Sequence, residues 1–344
     1  GERKQLNQFH DLGMFGEPID PPKDPNAIIL RPHWQYHIKR NGTRRARQCC
    51  NGSKYAAPTL HAIAMTYSSC VEHPIQRLFF ALAASLNLKV FGGDAKDAYG
   101  HSPGPEVPTY ITIDDAYADW YKWKYGKDIG RNKVLPVLRA LQGHPESGRL
   151  WETHINAILK CPELNFKTTT HDRTIYTTVF DGERVYLLRQ VDDFALACTK
   201  ESISDKIYDI IGEKLKLPGE DTVPFAKMGL LDDFNGIDVQ QKAEYTELSC
   251  GNYIDRIMRS HGWEAEANMK PHSKPTAPLS TETLNQLQSH SNGPVEGTKE
   301  HEELQSKSGF SYRTLLGEMM FAYVSCRPDI GYAVTLMSKY GSNP

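Results

Sequence analysis

Asp192 and Asp193 stand side by side between two apolar runs, Val185–Leu188 and Phe194–Ala197. Adjacent carboxylates in a strand–turn–strand setting repel each other, and burial raises the energy of both. A divalent cation removes that penalty. The pair also reads as a polar hairpin turn, because Asp favours turns, and alone it leaves both readings open. Upstream, the β-leaning run Leu86–Phe91 leads through Gly92-Gly93 to Asp94. A carboxylate at a strand end beside small residues fits a polar site on a sheet edge, or simply a strand terminus. Three carboxylates from two strands suit nucleotidyl transfer, in which two Mg²⁺ ions clamp the attacking and leaving oxygens. Asp94, Asp192 and Asp193 are therefore the candidate catalytic residues and metal ligands, with Mg²⁺ as cofactor and Mn²⁺ as its substitute.

A second group of residues suits phosphate. From Asn26 to Val71 there are seven Lys or Arg and no Asp or Glu, with Trp34, Tyr36 and Tyr55 interleaved. Local basic charge with aromatic rings can hold phosphates and stack bases. The alternative is a solvated basic hairpin, since Asn41-Gly42 is a strong two-residue turn signal.

The elements that must carry these groups are legible in outline. Residues 1–26 are polar and Pro-rich, an extended lead-in. Residues 28–56 read as strands, 74–88 as a helix, 109–113 as a strand and 148–159 as a helix. Residues 174–180 and 185–198 read as strands. Ile203, Ile207, Ile210, Ile211 and Leu215 recur at helical spacing. Residues 236–239 and 245–248 resemble a hairpin, 253–263 a helix, and 311–340 a return to helix. Residues 264–309 are poor in large apolar side chains, rich in Ser, Thr, Pro, Asn and Glu, and read as a flexible linker. No internal repeat is visible.

Composition sets limits. A chain of 344 residues with 39 % hydrophobic content suits a globular protein with more than one core. No apolar run reaches the roughly 20 residues of a membrane span, so no membrane partner is expected. The net charge of −2 argues against a globally basic nucleic-acid binder. Seven Cys form no C-x-x-C pair and imply neither zinc nor a disulfide framework. The scattered His residues lack H-E-x-x-H spacing, Ser147 lacks a Gly-x-Ser-x-Gly frame, and there is no Walker phosphate loop. The chain begins at Gly1 without Met, and both ends read as cut.

With these residues in view, the chain resembles the reverse transcriptase of copia-type long-terminal-repeat retrotransposons (Pseudoviridae). Asp94-Ala95-Lys96-Asp97-Ala98-Tyr99 is similar to that family's Asp-Val-Lys-x-Ala-Phe, and Gln190-Val191-Asp192-Asp193 to its Tyr-Val-Asp-Asp box. Leu141-Gln142-Gly143-His144-Pro145-Glu146-Ser147-Gly148-Arg149-Leu150-Trp151 resembles Leu-Tyr-Gly-Leu-Lys-Gln-Ser-Pro-Arg-Ala-Trp. Arg45-Ala46-Arg47, Phe234-Asn235-Gly236-Ile237-Asp238-Val239 and Arg327-Pro328-Asp329-Ile330 match three further motifs, all in the family's order. The departures are Gln190 and Gln142 for Tyr, Glu146 for Gln, and Gly148 for Pro. They bear on packing of the primer end and incoming base, and none removes a carboxylate.

The resemblance implies an α+β right-hand polymerase, with an antiparallel palm sheet packed on helices. Residues 27–85 and 113–140 would be fingers, 86–112 and 141–242 palm, and 243–263 a thumb-like segment. The 264–309 linker would lead to 310–344, the start of a connection segment without its RNase H. The implied activity is RNA- or DNA-directed DNA synthesis in retrotransposon replication. The implied partners are an RNA or DNA template with a DNA primer, dNTPs, and the rest of a polyprotein with integrase upstream and RNase H downstream. Arg47, helped by Arg45, would meet the triphosphate, because a guanidinium fork grips phosphate oxygens. Tyr99 would crowd the sugar 2′ position, Asp97 would offer its backbone amide, and Gly143 would border the dNTP and primer. Asn235 and Gly236 would form a primer grip. Lys227 is read either as a proton donor to pyrophosphate or as a solvated loop residue. Localisation would be cytoplasmic, in virus-like particles, with a nuclear stage. Two competing readings are a non-catalytic nucleic-acid-binding fragment and a metal-dependent nuclease.

Overall fold

In the computed structural model, residues 1–38, 42–263, 277–289 and 293–341 are described. Lys39, Arg40 and the Asn41 half of the expected turn lie outside them. Alternation decides the central sheet. Strands β1 (Ile28–Leu30), β2 (Pro32–Ile38) and β3 (Arg44–Cys50) come first, followed by β4 (Lys89–Ala95), β5 (Thr109–Thr112) and β6 (Val134–Pro136). Then come β7 (Lys167–Thr168), β8 (Ile175–Phe180), β9 (Glu183–Gln190), β10 (Asp193–Cys198) and β11 (Phe225–Leu230). Six of these form one antiparallel sheet in the order β11-β4-β10-β9-β8-β7. Val185 and Leu187 on β9 and Phe194, Leu196 and Cys198 on β10 put one face into a buried core. Two helices cover that face: α5 (Ser147–Leu159) with Trp151, Ile155 and Leu159, and α6 (Glu201–Leu215) with Ile203, Ile207, Ile211 and Leu215. The period of two in the strands and of 3.6 in α6 is what lets each present a single apolar face.

A second core forms where β1, β5 and β6 make a three-stranded sheet and β2 pairs with β3. Around it lie α1 (Glu2–Asp11), α2 (Pro58–Ile63) and α4 (Asp115–Tyr125). The Asp114 carboxylate caps α4 by accepting the Tyr117 amide at 2.8 Å, and also accepts the Trp34 indole N–H at 2.7 Å. Helix α1 corrects the expectation of an extended lead-in over 1–26. Leu6, Phe9 and Leu12 recur on one side of it and enter the core, and Trp120 donates to the Asn7 side chain at 2.8 Å.

The chain divides into two compact units, Gly1–Glu72 with Ser85–Leu230, and His73–Ala84 with Leu231–Pro344. Most of α3 (His73–Ser85) therefore groups with the second unit, away from the 27–85 segment in which the sequence placed it. In that unit β12 (Asp233–Phe234), β13 (Ile237–Gln241) and β14 (Thr246–Ser249) form a small antiparallel sheet followed by α7 (Gly251–Ser260). The expected 264–309 linker carries two helices, Thr281–Ser289 and Lys299–Ser308. The second is capped by Thr298 and closed by Gly309 at φ +77°, signals that offset its scarcity of large apolar residues. Residues 264–276 and 290–292 of that segment lie outside the described ones. Helices Tyr312–Ser325 and Gly331–Ser338 are separated at Arg327-Pro328, because proline removes a helix donor. Among the described residues, no helix is long and apolar enough to cross a membrane.

Candidate active site

The acidic pair sits at the tip of the β9–β10 hairpin. Asp193 pairs with Gln190, leaving Val191-Asp192 as a two-residue loop, and Asp94 on β4 lies directly across from Asp193. The Ala95 amide donates to the Asp192 carbonyl at 2.9 Å, fixing β4 to the loop. Val191 has φ +53°, a left-handed conformation that strains a β-branched residue by about 1–3 kcal/mol. Two donors hold its carbonyl in place, the Trp151 indole N–H at 2.7 Å and the Arg189 guanidinium at 3.1 Å.

Arg189 is a residue that sequence reasoning missed. It is 1 % exposed, and Glu152 is its ionic partner at 3.9 Å. Its Nε and one terminal nitrogen lack hydrogen-bond partners among the described residues. A buried, incompletely paired cation is expensive, and its placement directly behind an acidic turn offsets part of that penalty. The visible signal was an Arg directly after the apolar run Val185–Leu188. Gln190, a departure from the family pattern, accepts the Val71 amide through Oε1 at 2.7 Å and so ties the hairpin to the 69–71 segment.

A cavity of about 710 Å³ opens beside this tip, wholly within the first unit. Asp94 and Asp192 line it, together with Arg45, Arg47, Asp97 and Tyr99. Asp193 is exposed and is not among the lining residues. The pKa of Asp94 is raised by burial first and by the Asp192 charge second, with Lys96 and Arg45 opposing. Two carboxylates on one cavity, one of them raised in pKa by the other's charge, form a hard oxygen donor set suited to a divalent cation. Among the described residues, no three His, Cys, Asp or Glu side chains converge on one point, so a cation would find two preformed carboxylates and not three.

Arg45 and Arg47 project from β3, opposite His37 and Gln35 of β2. Tyr99 is half-buried, and its hydroxyl pKa is raised by burial, Asp192 and Cys70. Asp97 has φ +51° and accepts a hydrogen bond from the Gln8 side chain. Gly143 supports the wall without lining it. It has φ +89°, and a Cβ there would lie 2.2 Å from the Cys50 carbonyl oxygen. The Cys50 amide donates to the Gln142 carbonyl at 2.8 Å, so this glycine lets two backbones meet and sets Gln142 on the cavity. Asn235 and Gly236, at φ +52° and +77°, form the β12–β13 turn of the second unit.

Two other residues have structural partners. Lys227 lies on β11 with its Nζ 2.7 Å from Asp209 and 3.6 Å from Asp205 of α6, so it is neither a loop residue nor part of the cavity. Glu146 is 1 % exposed and accepts the Glu106 and Val107 amides at 3.1 and 3.3 Å. This explains why a carboxylate is tolerated where the family has Gln: it anchors a loop.

Among solved structures, the chain is similar to a foamy viral protease–reverse transcriptase in complex with double-stranded DNA. The identity is 14 %, the TM-score 0.42, and the coverage 99 % of this chain and 44 % of that one. It is also similar to apo telomerase from Candida tropicalis, at 10 % identity and TM-score 0.37, over 72 % of this chain and 59 % of that one. Among curated sequences, it is 23 % identical over 286 residues to the retrovirus-related Pol polyprotein from transposon TNT 1-94 of Nicotiana tabacum. That match spans 81 % of this chain but 19 % of the polyprotein. It is 26 % identical over 214 residues to a transposon Ty5-1 protein of Saccharomyces cerevisiae, covering 61 % of this chain and 59 % of that protein. Residues 17–276 match the profile of one family across most of the chain, and the chain belongs to that family, the reverse transcriptases (RNA-dependent DNA polymerases).

Proposed function

We propose that this chain is the polymerase module of a copia-type retrotransposon polyprotein, extending a DNA primer on an RNA or DNA template. The observation that carries the reading is one cavity with Asp94 and Asp192 on one wall and Arg45 and Arg47 on another. Nucleotidyl transfer asks for alignment and charge neutralisation more than for covalent participation, and this arrangement offers both. Asp94 and Asp192 would hold Mg²⁺ or Mn²⁺, with Asp193 assisting from the strand. When bound, the metal would neutralise the carboxylates and make the primer 3′-hydroxyl a better nucleophile toward the α-phosphate of a dNTP.

The chain's own residues do the rest. Arg47 and Arg45 grip the triphosphate through guanidinium forks. The Tyr99 ring occupies the space a ribose 2′-hydroxyl would need and so favours deoxynucleotides. The backbone amide of Asp97 would donate to the triphosphate. Asn235 and Gly236 would steady the primer. In this reading the 27–72 and 113–140 segments act as fingers, the six-stranded sheet as palm, and the polyprotein works in cytoplasmic particles.

Primer extension on poly(rA)/oligo(dT) tests the proposal. The wild-type chain should incorporate dTTP with Mg²⁺ or Mn²⁺. Asp94→Asn and Asp192→Asn should abolish incorporation while leaving duplex binding within about twofold, since neither residue supplies phosphate affinity. Extension that survives both substitutions would sink the assignment. Wild-type protein that binds the duplex and does not extend it would favour the non-catalytic reading.

A further inference from the structure

Helix α1 ends before the family match begins at residue 17, yet one side of it lines the cavity that holds Asp94 and Asp192. Gly1, Lys4, Gln5 and Gln8 recur at helical spacing along that side. The opposite, apolar side places Leu6 in a buried core, so the helix cannot rotate its polar stripe elsewhere. Its start is seated tightly on β3, where a Cβ on Gly1 would come within 2.9 Å of the Ala46 Cβ. Its middle is tied to the site, because Gln8 donates to the Asp97 carboxylate at the end of β4.

Lys4 is exposed, and neither it nor Arg44, Arg45, half-buried Arg47 or Lys96 on the same cavity makes an ion pair with any described residue. Five cations thus meet three carboxylates, Asp94, Asp97 and Asp192, around one space. The two carboxylates offered to metal account for the acidic end. The surplus of cations calls for a polyanion, and a triphosphate has the required charge and length. We infer that Lys4 is a triphosphate-binding residue, and that Gln8 positions it by locking α1 to Asp97. A second wall, from a helix before residue 17, would then complete the nucleotide site. This rests on the polymerase reading for the identity of the ligand, but the anion site can be measured without polymerisation.

The probe is inorganic tripolyphosphate, titrated calorimetrically into the whole chain with Mg²⁺ present. Lys4→Ala should raise its dissociation constant about fivefold to tenfold, as expected for loss of one charge-assisted contact, and Lys4→Arg should restore most of the affinity. Arg3→Ala is the control. Its guanidinium lies 5.3 Å from the Trp123 ring on another side of the same helix, so tripolyphosphate binding should not change. In primer extension, Lys4→Ala should raise KM for dTTP with kcat nearly constant. Equal losses for Arg3→Ala and Lys4→Ala would reveal a diffuse field and overturn the inference. So would a wild-type chain that does not bind tripolyphosphate, or a Lys4→Ala chain that binds it normally. If tripolyphosphate binding behaves as stated but no primer is extended, the anion site stands and the polymerase reading fails.

Discussion

Asp94 is held above the ordinary carboxylate pKa by burial and by Asp192, and this sets its effect on stability. A group whose folded pKa is raised adds stability below its unfolded value and loses it as pH rises. At neutral pH the ionised Asp94 is therefore a destabilising charge that a cation relieves. Asp94→Asn should stabilise the metal-free chain, seen as a higher Tm in EDTA. It should also remove the stabilisation that Mg²⁺ or Mn²⁺ gives the wild type. Thermal melts with and without metal check both halves, and an Asp94→Asn chain less stable in EDTA would contradict the electrostatic account. At this scale the sequence was readable where chemistry is dense. The Asp pair and Asp94 needed only neighbouring residue types to stand out. Arg189 and Gln190 did not, because each acts through a partner remote in sequence: Glu152 for one and the Val71 amide for the other.

Among the elements, strands were more legible than their junctions. Apolar runs on either side of the Asp pair placed β9 and β10, and helical spacing placed α6, because each element buries a continuous face. Helix α1 escaped because its apolar residues are few and the Pro-rich stretch after it dominates the composition. The helices at 281–289 and 299–308 escaped for a related reason: they are polar and depend on caps. Gly143 shows how a junction binds elements together. Its positive φ and its 2.2 Å approach to the Cys50 carbonyl leave no room for a side chain. Gly143→Ala should cost about 3 kcal/mol or more, from strain and overlap together. It should move the Gln142 wall and β3 with its arginines, so dTTP affinity should fall along with the urea midpoint. Gly182, also at positive φ but with nothing near its absent Cβ, is the comparison. Alanine there should carry only the conformational penalty, about 1 kcal/mol.

For the whole molecule, the sequence announced apolar content for more than one core and one basic region, but not the division into two compact units, because α3 joins residues far away in sequence. It was also silent on histidine, whose scattered positions only gain meaning through burial. His144 is 5 % exposed, and burial pushes its pKa down to about 4. Its ring is neutral: Nδ1 accepts the Glu146 amide at 3.2 Å, so Nε2 carries the proton and donates to Thr109 Oγ1 at 3.1 Å. Burial also lowers the pKa values of His154 and His73. A histidine with a depressed folded pKa adds stability that is complete above the unfolded value of 6.5 and is lost as pH falls through that value toward 4. His144 alone should contribute about 3 kcal/mol across this window, and Asp94 acts in the opposite sense. Urea unfolding at stepwise pH should therefore show a loss of stability beginning near pH 6.5. His144→Gln, which keeps a neutral polar side chain, should start less stable at pH 7.5 and decline less steeply. Parallel pH curves for the two proteins would mean that the acid sensitivity arises elsewhere, and that the ring at position 144 is charged or solvated in the fold.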